Sequence, residues 1–369
     1  MVKIGLLKPK NSRVITLLPQ TVKEFSKDAE VLVEKGAGES VFVKDADFER
    51  EGAKVVSRDE VLKNAQVFLF YRLDEDTARE LPEGSTIVGF IDPFNKKDLL
   101  NLLKDKKINA IAFELVPRIS RAQYMDALTS TAMLAGYYSV ILAAKNYARR
   151  FPYFMTAAGT LFPANVFVIG AGVAGLQAIA NAKRLGAVVY GYDIRPQVKQ
   201  EIESLGAKFV ELPLTAEEKE GYAVVKGEEL IKRQRELLKD VLPQMDVVIT
   251  TAAVLGGKAP LIITKDLVEI MKPGSVIVDL AAPRGGNVEL TKLGEVVEHN
   301  NVKIVGMTDA SEDLFLDASF MLSNNTKNLL KLFIKDGELV FDMEDEIVRK
   351  SLATYQGEIY SEFLKEVKQ

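Results

Sequence analysis

The spacing in this chain best able to do chemistry is Gly170-Ala171-Gly172-Val173-Ala174-Gly175. A G-x-G-x-x-G alone is a weak signal. Here it follows the apolar run NVFVI (165–169) and opens the helical run AGLQAIANAKRLG. In that order each glycine has its own role. Gly170 permits a tight turn, Gly172 lets a ligand approach the backbone, and Gly175 lets helix and strand pack closely. Free N–H groups and positive dipole at the helix start favour a pyrophosphate. Asp193 ends the next apolar run, 23 residues beyond Gly170. A carboxylate there accepts hydrogen bonds from adenosine ribose hydroxyls and repels a 2′-phosphate. The constellation predicts dinucleotide binding with NAD favoured over NADP. Arg195 weakens that preference if it turns inward.

A second candidate is the segment Val116-Pro117-Arg118-Ile119-Ser120-Arg121-Ala122-Gln123-Tyr124-Met125-Asp126. Gln123, Asp126 and Thr129 recur every three residues, so on a helix they form one polar stripe. Two plainer readings compete. Ser120 and Gln123 fit a capping box, and Arg118 with Asp126 fits a surface ion pair of little energetic weight.

Composition removes other chemistries. The chain has no Cys, no Trp and one histidine, His299, with 48 Lys plus Arg against 52 Asp plus Glu for a net charge of -4. Thiol nucleophiles, Cys-based metal sites and multi-histidine metal centres are excluded, so no metal is expected, and a reducing cytoplasm fits. The charge balance argues against nucleic-acid binding. His299 lies in EHNN, read as a solvated polar turn after a helix.

These residues need a scaffold of alternating strands and helices. In the first 115 residues the candidate strands are KIGLL (3–7), EVLVE (30–34), QVFLFY (66–71), TIVGFI (86–91) and AIAFEL (110–115). Ser57 and Glu60 form a capping-box pattern, and Asn95 is placed to cap FNKKDLLNLLK. A long helix is expected from about 121 to 150. Beyond it, NVFVIG (165–170), AVVYGYD (187–193), KFVEL (208–212), DVVITT (246–251), SVIVDL (275–280) and VKIVG (302–306) read as six strands of a sheet covered on both faces. The charged stretch 215–240 reads as an exposed loop near Gly221 and Tyr222, then a solvated helix. The C-terminus reads as helix, a hairpin or turn at Asp336-Gly337, then helix. Two uncharged runs, 127–144 and 151–182, are read as soluble core and not as membrane spans. The second, punctuated by Pro152, Gly159, Pro163, Asn165 and Gly170, reads as loop, buried strand, glycine turn and buried helix. The start, MVKIGLLKPKNSRV, lacks the long apolar stretch of a signal peptide. The expected fold is α/β, two doubly wound Rossmann-like domains with a nucleotide cleft between them: 1–126 plus 310–369, and 127–309.

RISRAQYMDALTS (118–130), TAAGT (156–160), VIGAGVAGLQAIANAKRLGA, ESLGAKF, ITTAAVLGGKAP and MKPGSVIVDLAAPRGGN together resemble the alanine dehydrogenase and transhydrogenase alpha-subunit family over nearly the whole chain. RISRAQ-x-MD, Gly221-Tyr222-Ala223 and LGAVV-x-x-x-D look most like its NAD(H)-binding, transhydrogenase branch. In the alanine dehydrogenase branch, the arginine that grips pyruvate has a counterpart in Arg13. The catalytic lysine, histidine and aspartate fall instead on Arg72, Asp92 and Pro283, which speaks against amino-acid chemistry. The resemblance implies hydride transfer between NAD(H) here and NADP(H) on a partner domain. It implies that Arg118, Ile119, Ser120, Arg121, Gln123, Asp126 and Thr129 serve the nicotinamide end. Val173, Asp193, Ile194, Arg195, Gln234 and Ala253 would line the adenosine side, with Gly221-Tyr222 as a flap. Thr129 stands where serine is usual, and Ala253 where leucine is. It further implies a homodimer docked on membrane-spanning subunits that translocate protons, with this chain as the split, membrane-free part.

Overall fold

The computed structural model describes residues 1–25, 27–211, 217–219, 222–224, 228–254 and 256–366. The chain divides into two compact units, Met1–Thr131 with Ser311–Gln369, and Ala132–Ala310.

The first unit holds an eight-stranded sheet in the order Glu358–Ile359, Leu352–Tyr355, Asn109–Ala112, Thr86–Phe90, Val67–Arg72, Val2–Leu6, Ala29–Glu34, Lys54–Val56. Neighbours from Asn109–Ala112 through Lys54–Val56 pair in parallel, and Leu352–Tyr355 joins antiparallel. The chain moves outward from Val2–Leu6 in one direction, then returns to its other side at Val67–Arg72. The strand order therefore reverses between those two neighbours, which opens a crevice beyond their carboxyl ends. Lys54–Val56 and the C-terminal pair are strands the sequence pattern hid, being short and poorly alternating. The expected strand 110–115 stops at Ala112, where Phe113–Leu115 winds into a 3-10 turn.

Helix starts in this unit follow local chemistry, with one exception. Ser57 and Glu60 form the expected capping box on Arg58–Asn64. Asn95 does not cap the next helix: Lys96 is the N-cap residue of Lys97–Asp105, and Asn95 Nδ2 donates to Asp92 Oδ1 at 2.8 Å. The tight turn after Phe90, with Asp92 at φ 50°, takes the asparagine for itself.

The second unit holds a seven-stranded sheet ordered Lys208–Phe209, Val188–Tyr192, Asn165–Ile169, Val247–Thr250, Val276–Asp279, Val302–Gly306, Val296–His299. All pairs are parallel except the last. Strand alternation splits its core into two layers. Val166, Val168, Val247 and Ile249 pack on one face, Phe167, Ile169, Val248 and Ile277 on the other. Each fully buried side chain of this kind stabilises by roughly 1.5–3 kcal/mol.

The structure departs from the sequence pattern at several places in this unit. His299 ends the strand Val296–His299 and does not follow a helix; the turn is Asn300-Asn301, both at positive φ, which asparagine tolerates. Its Nε2 lies 2.8 Å from Glu269 Oε1. The strand at 208 is only Lys208–Phe209. In 215–240, Glu217–Lys219 pairs with Tyr222–Val224 as a hairpin, and the helix Glu228–Val241 is not wholly solvated, since Gln234 and Leu238 are buried. Gly221 lies outside the described residues.

The helix expected from 121 to 150 is two elements, a 3-10 turn Ser120–Met125 and an α-helix Ala127–Asn146. The α-helix is long and apolar enough to cross a membrane (mean hydropathy 1.4), yet only 33% of that window is buried. Met133, Tyr137 and Ile141, four apart, stay exposed. The part of the second uncharged run read as loop holds two short strands. Phe154–Thr156 and Gly159–Leu161 form a hairpin that carries Tyr153, Phe154, Met155, Leu161 and Phe162 exposed. Apolar content alone does not distinguish a buried strand from an uncovered one.

Candidate functional site

In the second unit the strand order reverses between Asn165–Ile169 and Val247–Thr250. The glycine turn leaves the first of these and enters the helix Val173–Arg184, whose N-cap is Gly172. The three glycines differ in what surrounds them. Gly170 sits at φ 97°, backbone that a side chain would strain. A Cβ on Gly175 would lie 1.8 Å from the Gly170 carbonyl oxygen, so helix and strand touch there. A Cβ on Gly172 would meet nothing within 4 Å. The open side is where a phosphate must approach, and the first helical turn carries no acidic residue to repel it. The helix is held from behind: a Cβ on Gly136 would lie 2.2 Å from the Ala174 carbonyl oxygen, so the helix Ala127–Asn146 packs closely on its first turn.

Asp193 is not a solvated strand end. It is 8% exposed, and its Oδ2 accepts the Ala171 N–H at 2.7 Å, tying the acid directly to the glycine turn. Arg195 turns inward and is equally buried. Its backbone N–H and Nε donate to Asp193 Oδ1 at 2.9 and 3.0 Å, and Nη2 donates to Oδ2 at 3.1 Å. Asp193 thus already accepts at least four hydrogen bonds from the protein, a saturation that sequence spacing does not reveal. Ile194 and Gln234 are buried beside them, Val173 is half-buried, and Ala253 is exposed on the loop after Val247–Thr250. Tyr192, beneath Asp193, has its phenol pushed above the usual range by burial and by the Asp193 charge, with Gln234 acting the other way. Tyr222 stands in the hairpin strand Tyr222–Val224.

In the first unit, Gln123, Asp126 and Thr129 do not share one α-helix. Gln123 is in the 3-10 turn, whose N-cap residue is Ile119 with no side-chain cap, so the Ser120–Gln123 capping box is not formed. Asp126 caps the α-helix instead: its Oδ1 accepts the Thr129 N–H at 2.8 Å and its Oδ2 the Thr129 hydroxyl at 2.7 Å. The α-helix accordingly begins at Ala127, beyond the Ser120 motif. Gln123 is exposed and caps no helix; Arg118 and Ser120 are exposed too. Arg121 makes a bidentate pair with Asp345, Nη1 to Oδ2 at 2.7 Å and Nη2 to Oδ1 at 2.6 Å, and that pair holds the Asp345 carboxyl down at about 2.

The positions matched to amino-acid chemistry are otherwise engaged. The Arg13 guanidinium lies 3.5 Å over the Phe315 ring. Arg72 stacks near Tyr71 and Phe90. Asp92 accepts from Asn95, and its N–H, like that of Ile91, donates to Glu114, at 2.7 and 3.1 Å respectively. Burial pushes the Glu114 carboxyl up to about 7. Pro283 sits in the 3-10 turn Ala282–Arg284. Among the described residues no cluster of His, Asp and Glu is arranged to hold a metal ion.

The family models described as the alanine dehydrogenase/PNT N-terminal domain and C-terminal domain match residues 7–135 and 139–362. The chain is 42% identical over 354 residues to the NAD(P) transhydrogenase subunit alpha of Haemophilus influenzae, covering 94% of this chain and 69% of that one. It superposes on the transhydrogenase from Sinorhizobium meliloti with a TM-score of 0.86 at 37% identity, over 97% of this chain and 99% of that one. An L-alanine dehydrogenase gives a TM-score of 0.81 at 21% identity over 100% and 99%, a likeness of fold alone. The glycine turn, the acid tied to it and these matches lead to one assignment: the chain belongs to the alanine dehydrogenase/PNT family.

Proposed function

We propose that this chain is the NAD(H)-binding subunit of an NAD(P) transhydrogenase, passing a hydride directly between NADH and NADP+ held on a partner domain. The observation that carries the reading is the glycine turn, open at Gly172 and closed at Gly175. The pyrophosphate would sit on Gly170 and Gly172, and the adenosine against Val173, Asp193, Ile194, Arg195, Gln234 and Ala253, with Gly221-Tyr222 closing over it. Ribose hydroxyls reach Asp193 by taking the place of the Arg195 guanidinium, so Arg195 is the residue through which NAD and NADP are told apart. NAD(H) is the cofactor of this chain, and NADP(H) that of the partner.

Hydride transfer moves one hydrogen and two electrons from one nicotinamide C4 to the other, and leaves no proton for the protein to take or give. That chemistry asks for orientation alone, which is worth roughly 7–11 kcal/mol of barrier when it is good. The loss of acid–base side chains at Arg72, Asp92 and Pro283 supports this over an alanine-oxidising enzyme or a non-catalytic NAD-binding module. Arg118, Gln123 and Asp126, with Ile119, Ser120, Arg121 and Thr129, are assigned to the nicotinamide end. A homodimer is supported by the exposed stripe Met133, Tyr137 and Ile141 and by the apolar hairpin 154–161. The dimer would work at the inner face of a membrane, on spanning subunits that couple the reaction to proton translocation.

Gln123→Ala provides the test, because Gln123 is exposed and caps nothing. Mixed with an NADP-binding partner domain, the variant should exchange hydride on the order of a hundredfold more slowly, a figure typical of lost orientation. Its NADH affinity should stay close to wild type. Equal loss of both, or alanine-dependent reduction of NAD by the wild-type chain, would overturn the reading.

A further inference from the structure

We propose that Asp279 and Asn287 act through Thr251 to fix the glycine turn, which makes these three positioning residues of the nucleotide site. The inference rests on the nucleotide-binding reading of that turn.

The anchor lies at the end of the strand Val276–Asp279. Asp279 is fully buried, and its carboxylate gathers at least five donors. Oδ1 accepts the Thr250 hydroxyl at 3.1 Å and the Ala281 N–H at 3.0 Å. Oδ2 accepts the Asn287 N–H at 2.9 Å, the Val288 N–H at 3.2 Å and the Thr291 hydroxyl at 2.7 Å. The chain can wrap the carboxylate this closely because Gly285 and Gly286 have φ 94° and 81°, and a Cβ on Gly286 would lie 2.7 Å from Asp279 Oδ2. A buried charge satisfied by so many dipoles is a fixed point of the structure, since loss of any one partner leaves a buried group unpaired.

Asn287 carries that fixed point across to the loop after Val247–Thr250. Its Nδ2 donates to the Ala252 carbonyl at 2.8 Å and the Pro260 carbonyl at 2.9 Å, so one side chain ties both feet of the loop between them. Its own backbone carbonyl accepts the N–H groups of Ile262 and Ile263, both at 2.9 Å. Thr251 stands beside the first tied foot. Its hydroxyl lies 3.0 Å from the Gly170 carbonyl oxygen and 3.3 Å from that of Ile169. A Cβ on Gly170 would approach the Thr251 oxygen to 2.5 Å, so the hydroxyl is seated against the turn itself. The path Asp279, Asn287, Ala252, Thr251, Gly170 is continuous and buried or half-buried throughout. Two side chains remote in sequence from the fingerprint thereby set where its first peptide, between Gly170 and Ala171, stands ahead of the helix start.

Three variants of the full chain test this, with NADH affinity and hydrogen exchange as readouts. Thr251→Val keeps the shape and removes the hydroxyl, and should weaken NADH binding about tenfold, while Thr251→Ser should stay within about threefold of wild type. Exchange at residues 170–172 should quicken in Thr251→Val and in Asn287→Ala while the strand Val276–Asp279 stays protected. Thr251→Val that binds NADH normally, or Thr251→Ser that fails as badly, overturns the inference. A wild-type chain that does not bind NADH overturns the function reading, and exchange on the unliganded protein still decides whether Thr251 holds the turn.

Discussion

The two units solve one topological problem with different chemistry. Each sheet reverses its strand order beside its own first long strand, Val2–Leu6 in one and Asn165–Ile169 in the other. In the second unit only three residues separate that strand from a 12-residue helix, and the link is made of glycine and alanine. Backbone N–H groups and a helix dipole then face the crevice. In the first unit the segment 7–18 intervenes before the seven-residue helix Pro19–Phe25. The crevice there, about 230 Å³, is lined by residues of that segment and of the neighbouring strand end, among them Lys8, Lys10, Thr16, Arg72 and Lys96. Topology supplies a crevice in both units, while the loop leaving the first strand decides which residues line it.

The strongest way to break this comparison is Gly172→Val. The open space at Gly172 should let the unit fold with an unchanged melting temperature. NADH binding, measured by fluorescence titration, should fall on the order of a thousandfold, about 4 kcal/mol. A variant that folds and binds would show that the backbone is not the ligand surface.

Next in size is a pH effect confined to the first unit. Glu114 has its carboxyl raised from 4.5 to about 7 by burial, against the pull of the Asp92 backbone N–H; the Asp92 charge raises it further and the Arg72 charge lowers it. A group that holds its proton more tightly when folded stabilises the fold at low pH. That contribution is fully present below about 4.5 and is lost as pH rises through about 7. Glu114→Gln should remove this slope, raising stability above pH 7 on the order of 2 kcal/mol, as followed by denaturant unfolding. It should leave NADH affinity as it was.

Arg195→Ala sharpens the second unit. Freed of its guanidinium, Asp193 should discriminate against NADPH about tenfold more strongly, about 1.4 kcal/mol, in parallel titrations. Unchanged discrimination would mean that Arg195 meets neither nucleotide. The smallest effect is Ser57→Ala in the first unit. Loss of that capping box should cost about 1 kcal/mol of unfolding free energy and leave nucleotide binding alone.

Much of the scaffold is legible in the sequence because strong local signals and tertiary packing agree. Buried parallel strands such as Asn165–Ile169 and Val276–Asp279 are mostly apolar runs, and Ser57 with Glu60 makes a self-contained cap. The departures share a cause. The strands Lys54–Val56 and Leu352–Tyr355 exist through pairing with distant neighbours, which short sequence windows do not register, and Val296–His299 through a two-residue hairpin with Val302–Gly306. The helix Ala127–Asn146 reads as core and the hairpin at 154–161 as loop because apolar content and Pro/Gly spacing say nothing about coverage or pairing. The Ser120–Gln123 motif lost its cap to Asp126, a competition between two adequate local solutions.

At the candidate site the division is similar. By itself the sequence determined the glycine turn, since φ 97° at Gly170 and contact at Gly175 permit no side chain whatever surrounds them. It also excluded thiol and multi-histidine chemistry outright. Only the tertiary structure decided that Arg195 folds onto Asp193, that Asp126 and not Ser120 starts the helix, and that Asp279 and Asn287 reach the turn through Thr251. Those outcomes depend on which groups meet after the chain has closed on itself, where burial makes an unpaired polar atom costly and so selects its partner.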